Sequence, residues 1–206
     1  MENSKKIIVS IICLLILFSS ISCIKKDRTK EENSKIQNLQ KYTQIKDILY
    51  RDDEGNIYFK TVSHGDISEG IKPEDIYIDE IALDNGKTEK LKSIIDTISF
   101  KRLNYIYYKD NNLVFVENPM AYGSTFSIIT GADCKTFKGL GDSYYASDMK
   151  NCYYKGNVIK NADSKSFRIL EQKDGNGNTS YARDNNAYYN EGKSISYSKI
   201  KEYIVE

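Results

Sequence analysis

Apolar residues are distributed along this chain in three ways. The first is one run, Ile7 to Phe18, broken only by Ser10 and closed by Ser19-Ser20-Ile21-Ser22-Cys23. The second is near absence: Ile24 to Gln40 carries Lys25, Lys26, Asp27, Arg28, Lys30, Glu31, Glu32 and Lys35 with almost nothing apolar. The third begins at Tyr42, Ile45, Ile48 and Leu49, after which short segments with β preference alternate with polar turn residues. Tyr145 to Ile159 is a clear case, with Tyr145-Ala146-Ser147 and Cys152-Tyr153-Tyr154 flanking Asp148-Met149-Lys150-Asn151. Strand, polar turn and strand predict a β-hairpin ending near Gly156-Asn157.

The pattern repeats. One element, Asp-x-x-Ser/Thr-Phe-Lys/Arg-x-Leu, occurs at Asp96 to Leu103, Asp133 to Leu140 and Asp163 to Leu170. A second, Tyr-x-x-Asp followed by a turn and an aromatic pair, starts at Tyr50, Tyr107, Tyr145 and Tyr181, with Asp53, Asp110, Asp148 and Asp184 as its acids. The two alternate in a unit of roughly 30 to 40 residues, the size of known repeat architectures. The acids Asp96, Asp133 and Asp163 suit Asx-type turns, after which Phe167, Leu170 and their counterparts enter a short third strand and pack inward. The expected fold is all-β: about four copies of a three-stranded antiparallel meander, joined in a continuous or propeller-like sheet assembly. Ser63 to Ser93 reads as an insertion with its own Ile76-Tyr77-Ile78 strand and an Asp84-Asn85-Gly86-Lys87 turn. Ile195 to Ile204 reads as a decayed last copy, with Tyr203 in the place of Phe167, as capping repeats are commonly atypical.

Composition sharpens this reading. The chain has 206 residues, 40% hydrophobic and 29% charged, enough for one compact domain plus a leader. Lys and Arg (30) nearly cancel Asp and Glu (29), which argues against a nucleic-acid partner. There are 17 Tyr and no Trp, a bias that suits pleated surfaces where a ring packs and its hydroxyl finds a partner. His64 is the only histidine, so triad and His-metal chemistry lack their parts, and no cofactor is expected. Asp174 and Asn176 resemble the start of a calcium loop, but Thr179 and Asn185 stand where its glycine and glutamate belong.

The amino-terminal run is about a dozen residues, shorter than the roughly 20 needed to span a bilayer as a helix. With Lys5 and Lys6 before it and small residues after it, it reads as an export signal. Ser20-Ile21-Ser22-Cys23 resembles the lipobox of bacterial lipoproteins, with Ser20 where an aliphatic residue is usual. That resemblance implies cleavage before Cys23 and lipidation of its sulfur, with several acyl chains giving stable anchoring. The expected organisation is a lipoprotein signal peptide over 1–22, a polar tether over 23–41 and a β-repeat domain over 42–206. Ile24 is not the aspartate that retains some lipoproteins at an inner membrane, which leans the expected location toward an outer membrane. Only Cys134 and Cys152 then remain in the mature domain, either bridged or as two small apolar residues.

The run Tyr145-Ala146-Ser147-Asp148-Met149-Lys150-Asn151-Cys152-Tyr153-Tyr154, continuing to Ala162-Asp163-Ser164-Lys165-Ser166-Phe167, resembles the DKNYY family of bacterial exported repeat proteins. Its motif is Asp-Lys-Asn-x-Tyr-Tyr followed by Ala-Asp-Pro-Lys-Thr-Phe; Cys134 and Ser164 replace the proline here and Cys152 the usual valine. The resemblance implies the repeat architecture and carries no established activity.

Residues that recur in every copy are most simply what each copy needs to fold, and Asp96, Asp110, Asp133, Asp148, Asp163 and Asp184 are read as turn residues on that ground. The mature domain is expected to be a non-enzymatic binding or structural module, with an envelope protein or glycan as partner and the membrane held through the lipid. Its candidate contact surface is Tyr145, Tyr153, Tyr154, Tyr181, Tyr188 and Tyr189, because tyrosine offers stiff contact area with a hydroxyl. The alternative is an envelope hydrolase using pairs of the recurring carboxylates as acid and base. Outward-facing tyrosines would favour the binding surface, and tyrosines buried between repeats would count against it.

Overall fold

The computed structural model describes residues 41–65, 70–83, 86–173 and 180–205. The export signal, Cys23, most of the tether, Asp84-Asn85 and the Asp174 to Thr179 loop lie outside the described residues. The chain divides into a unit over Met1–Thr43 and a compact unit over Gln44–Glu206.

The described chain is almost entirely β. Four separate sheets follow one another, each the product of one copy of the repeat. The first has the order β1 (Tyr42–Lys46), β2 (Leu49–Asp52), β3 (Ile57–Ser63) and β4 (Glu74–Ile78). The third has β11 (Lys138–Gly139), β12 (Tyr145–Ser147), β13 (Cys152–Tyr154) and β14 (Asn157–Val158). The fourth has β15 (Arg168–Ile169), β16 (Tyr181–Arg183), β17 (Tyr188–Asn190) and β18 (Lys193–Ile195).

The second sheet keeps the same plan in β7 (Lys101–Arg102), β8 (Tyr107–Lys109), β9 (Val114–Met120) and β10 (Gly123–Ile128). It is widened by β5 (Glu80–Ala82) and β6 (Thr88–Lys90), with β5 running parallel to β10. A short helix, α1 (Leu91–Ile94), follows β6 and buries Leu91.

The unit is therefore a four-stranded meander rather than a three-stranded one, and its phase differs from the expected one. The strand after each Asp-x-x-Ser/Thr-Phe element opens a sheet instead of closing it: β11 pairs with β12 and β15 with β16. The missing fourth strand comes from a tight return after the aromatic pair. Lys155 (φ 47°) and Gly156 (φ 79°) link β13 to β14, and Glu191 (φ 50°) and Gly192 (φ 76°) link β17 to β18. Two left-handed residues in a two-residue loop match the twist of the flanking strands, which is why the chain turns at once instead of leaving the sheet. Part of the presumed insertion is likewise structural: Ile76-Tyr77-Ile78 lies in β4 and closes the first sheet against β3.

The sheets pack face to face through three clusters. Leu49 and Phe59 of the first sheet meet Phe100, Tyr108 and Phe115 of the second. Tyr107 and Val116 of the second meet Phe137, Ala146 and Tyr153 of the third, and Tyr145 and Cys152 of the third meet Phe167, Ala182 and Tyr189 of the fourth. The last sheet is covered by the carboxyl-terminal segment through Ile200 and Ile204 against Leu170. Tyr203 does not take the place of Phe167. It is more than half exposed and stacks on Tyr181 at 6.3 Å, while Ile200 and Ile204 carry the burial.

Candidate functional site

The recurring acids form interlocked pairs of turns. In the third copy Asp148 accepts the N–H groups of Lys150 and Asn151 on Oδ1, both at 2.7 Å. Its Oδ2 accepts the Tyr153 hydroxyl at 2.6 Å and the N–H of Asp133 at 3.0 Å. Asp133 in turn accepts the N–H of Lys135 and the hydroxyl of Thr136, and that hydroxyl oxygen accepts the N–H of Met149 at 2.9 Å. Each turn thus caps the other. The fourth copy repeats the clasp with Asp184, Asp163, Ser166 and Asn185. The second repeats it with Asp110, Asp96, Ser99 and Asn111, except that Phe115 stands where Tyr153 supplies a hydroxyl. In the first copy the turn acid is Asp52 rather than Asp53. Asp52 binds the N–H groups of Glu54 and Asn56 and the Tyr58 hydroxyl, whereas Asp53 is exposed, because the turn holds one residue more between the acid and Tyr58 than between Asp148 and Tyr153.

This bonding sets the charge of the acids. Burial opposes ionisation of Asp148, but the Tyr153 hydroxyl and the N–H groups of Asp133, Asn151 and Lys150 outweigh it and hold the carboxyl below its ordinary range. Asp184 is held down in the same way, against burial, by the N–H groups of Asp163 and Asn186 and by Tyr189. Asp96, Asp133 and Asp163 are lowered chiefly by the hydroxyls of Ser99, Thr136 and Ser166. A glycosidase pair needs one carboxyl that keeps its proton near neutral pH, and these five are all pushed the other way.

The tyrosines divide into two sets. Tyr145, Tyr153 and Tyr189 are buried, so they cannot contribute to a solvent-facing patch, and their assignment to a contact surface is corrected here. Tyr145 is a peg between copies. Its hydroxyl donates to the Ser180 carbonyl at 2.7 Å and accepts the N–H of Gly192 at 3.1 Å. Tyr107 does the same one copy earlier, with the Tyr144 carbonyl and Gly156. Glycine is required at both sockets: a Cβ on Gly192 would lie 2.7 Å from the Cβ of Tyr154, and one on Gly156 would lie 2.8 Å from Val116. Phe137 and Phe167 then fill the space between peg and hairpin, at 5.5 Å from Tyr107 and 5.7 Å from Tyr145.

Tyr154, Tyr181 and Tyr188 are only partly buried. Tyr154 belongs to an edge-to-face chain with Tyr144 (6.2 Å) and Tyr105 (5.4 Å from Tyr144), and the Lys155 ammonium lies 4.8 Å from the Tyr144 ring centre. Tyr105 and Tyr144, absent from the sequence-based set, precede the strand rather than lying in the repeated motif, so no recurrence marked them.

Burial raises the hydroxyl pKa of Tyr107, Tyr145, Tyr153 and Tyr189 well above the free value and that of Tyr154 to about 12. A folded-state pKa above the unfolded one means that stability is complete below about pH 10 and is lost as pH rises beyond it. Alkaline titration followed by phenolate absorbance is expected to show two phases, the later one coinciding with loss of the strand circular dichroism. A single phase preceding any unfolding would show that the pegs are accessible.

Cys134 and Cys152 are both free. Cys152 is buried against Tyr145 and Phe167, and burial pushes its thiol up to about 12, so it serves as a small apolar residue. His64 is exposed after β3. Among the described residues no group of three or more His, Cys, Asp or Glu side chains could hold a metal ion.

One concave feature lies at the carboxyl-terminal face of the last sheet. A cleft of about 470 Å³ is lined by Arg168, Arg183, Glu171, Tyr188 and Tyr197 together with the apolar Ile169, Leu170, Ile204 and Val205.

Successive sheets built on a four-stranded meander, turn clasps and tyrosine pegs define a β-repeat protein whose recurring residues serve its own assembly. The chain belongs to the DKNYY family, whose family model matches residues 19–193. Neither curated proteins nor solved structures gave a match.

Proposed function

We propose that the chain is a lipid-anchored envelope protein, held through Cys23 at an outer membrane, whose DKNYY repeats form a non-enzymatic binding module for an envelope protein or glycan. The observation that carries this reading is the engagement of the recurring carboxylates in their own turn clasps. Each is engaged by donors of its own clasp, and Asp96, Asp133, Asp148, Asp163 and Asp184 are held below the ordinary carboxyl range, which leaves none of those five suited to the acid's part. The partly exposed chain of Tyr105, Tyr144 and Tyr154 is the contact surface in this reading, replacing the buried tyrosines. The basic-ended apolar run and Ser20-Ile21-Ser22-Cys23 support the anchor.

Two measurements test it. Radiolabelled palmitate is expected on the wild type and not on Cys23→Ala; label on the variant would refute the anchor. The full chain is expected to co-sediment with purified envelope glycan or to retain a discrete envelope protein, and Tyr105→Ala with Tyr144→Ala is expected to weaken that capture about tenfold, the effect of losing an aromatic contact pair. Capture unchanged by both substitutions would remove the tyrosine surface from the proposal.

A further inference from the structure

A basic cross-strand pair at ordinary repeat positions lines the end cleft, and the second sheet pairs Lys101 with Lys109 in the same place. In the second copy the residue before the turn acid is Lys109, whose ammonium donates to the carbonyls of Cys134 and Phe137 in the third copy. The same position in the last sheet is Arg183, and the face it lines is met by the carboxyl-terminal segment rather than by another sheet. The carboxyl-terminal segment covers this face with Tyr197, Ile204 and Val205, and the cleft remains between them.

Arg183 stands directly opposite Arg168 in the β15–β16 pairing, and both line the cleft. Two like charges in direct cross-strand register destabilise a sheet unless something else compensates them. Among the described residues no carboxylate lies within ion-pair distance of either guanidinium. Arg183 instead lies over the Tyr188 ring at 5.1 Å from its centre, with Nη1 3.4 Å from the Tyr188 hydroxyl. Tyr197 packs on Tyr188 at 5.1 Å and fixes that ring. Arg168 and Arg183 thus share the lining of the cleft with the apolar Ile169, Leu170, Ile204 and Val205 and with one acid, Glu171.

We propose that this cleft binds a monocarboxylate carrying an apolar body. Guanidinium forks match the two oxygens of a carboxylate. With Arg168 and Arg183 positive and Glu171 negative the lining has a net charge of about one, which suits a monoanion better than a dianionic phosphate. Ile169, Leu170, Ile204 and Val205 would take the apolar part, and the volume falls within the roughly 300 to 1,000 Å³ usual for small-ligand sites. Two sources share this chemistry: a free small acid, and the carboxyl terminus of a peptide ending in apolar residues. This deepens the binding reading by naming a ligand class, and it depends neither on the lipid anchor nor on the tyrosine surface.

The full chain in detergent micelles would be titrated calorimetrically with phenylbutyrate, with N-acetyl-leucyl-leucine, with the carboxamide of that dipeptide and with inorganic phosphate. Saturable binding of at least one of the two carboxylates is expected, and the one that binds more tightly identifies the source. The carboxamide and phosphate are each expected to bind at least about tenfold more weakly, the usual size of a lost charge-assisted contact. Arg168→Gln with Arg183→Gln should lower carboxylate affinity by a similar factor while near-ultraviolet circular dichroism stays native. Arg168→Lys with Arg183→Lys should fall between, because charge without the fork keeps only part of the interaction. Equal binding of the carboxamide, preference for phosphate, absence of binding by either carboxylate, or affinity unmoved in a folded glutamine variant would each overturn the proposal. Failure of envelope capture with carboxylate binding intact would count against the macromolecular partner alone.

Discussion

Replacing Asp148 by alanine is expected to cost the folded domain about 3–5 kcal/mol, the sum of several hydrogen bonds to a charged acceptor partly offset by solvation of the exposed donors. Four donors lose their acceptor: the N–H groups of Lys150, Asn151 and Asp133 and the Tyr153 hydroxyl. The Tyr153 hydroxyl is buried and has few alternatives, while the N–H of Lys150 faces a turn that water can reach. Asp148→Asn keeps one oxygen for the hairpin turn but sets an amide NH₂ against the Asp133 donor, and is expected to cost about 2 kcal/mol. The equivalent Asp110→Ala should be milder by about 1 kcal/mol, one hydrogen bond, because Phe115 offers no hydroxyl there. Urea denaturation of the three variants and the wild type checks the order. An Asp148→Ala protein within 1 kcal/mol of wild type, by the roughly ±0.5 kcal/mol accuracy such comparisons carry, would mean that the clasp does not hold the repeat.

Tyr145→Ala is expected to cost about 4 kcal/mol, the range for deleting a buried aromatic ring, and Tyr145→Phe about 1–2 kcal/mol for the two hydrogen bonds of the hydroxyl. The ring lies wholly inside the contact between the third and fourth sheets, and the hydroxyl bridges Ser180 and Gly192 across it. In a stacked repeat each unit is stabilised by its own fold and by its nearest neighbours, so the loss should be local. Hydrogen exchange in Tyr145→Phe is expected to accelerate at Gly192 and in β16 to β18, with β2, β3 and β8 close to wild type. Uniform acceleration along the chain would show that the sheets unfold as a single unit and that the peg is not a joint.

The repeat, the all-β class and the hairpins at Asp110, Asp148 and Asp184 were legible because they rest on short-range chemistry: alternation along a strand, and carboxylates capping nearby backbone. The partnership of the two elements was also latent in the chain. Asp96 and Asp110 are 14 residues apart and Asp133 and Asp148 are 15, while the third pair is 21 apart across the glycine-rich Lys173 to Thr179 loop. The near-equal spacing of the first two pairs was the signal that two repeated acids share one clasp. The first copy misled because its turn has an extra residue, so alignment on Tyr50 selected Asp53 when the structural counterpart of Tyr145 is the buried Leu49.

The sequence by itself determined the number of copies, the central hairpin of each and the turn acids of the last three, since each depends on neighbours a few positions away. Only the tertiary structure decided where one copy ends and the next begins, which tyrosines face water, and that an arginine pair is left over at the last sheet. A sheet inside a stack is covered on both faces, so alternation no longer separates inside from outside, and Tyr145 and Tyr154 carry the same residue type into different environments. The end cleft was less legible still. Arg168 and Arg183 occupy ordinary repeat positions, and what sets them apart is that the carboxyl-terminal segment, rather than another sheet, covers the face they line.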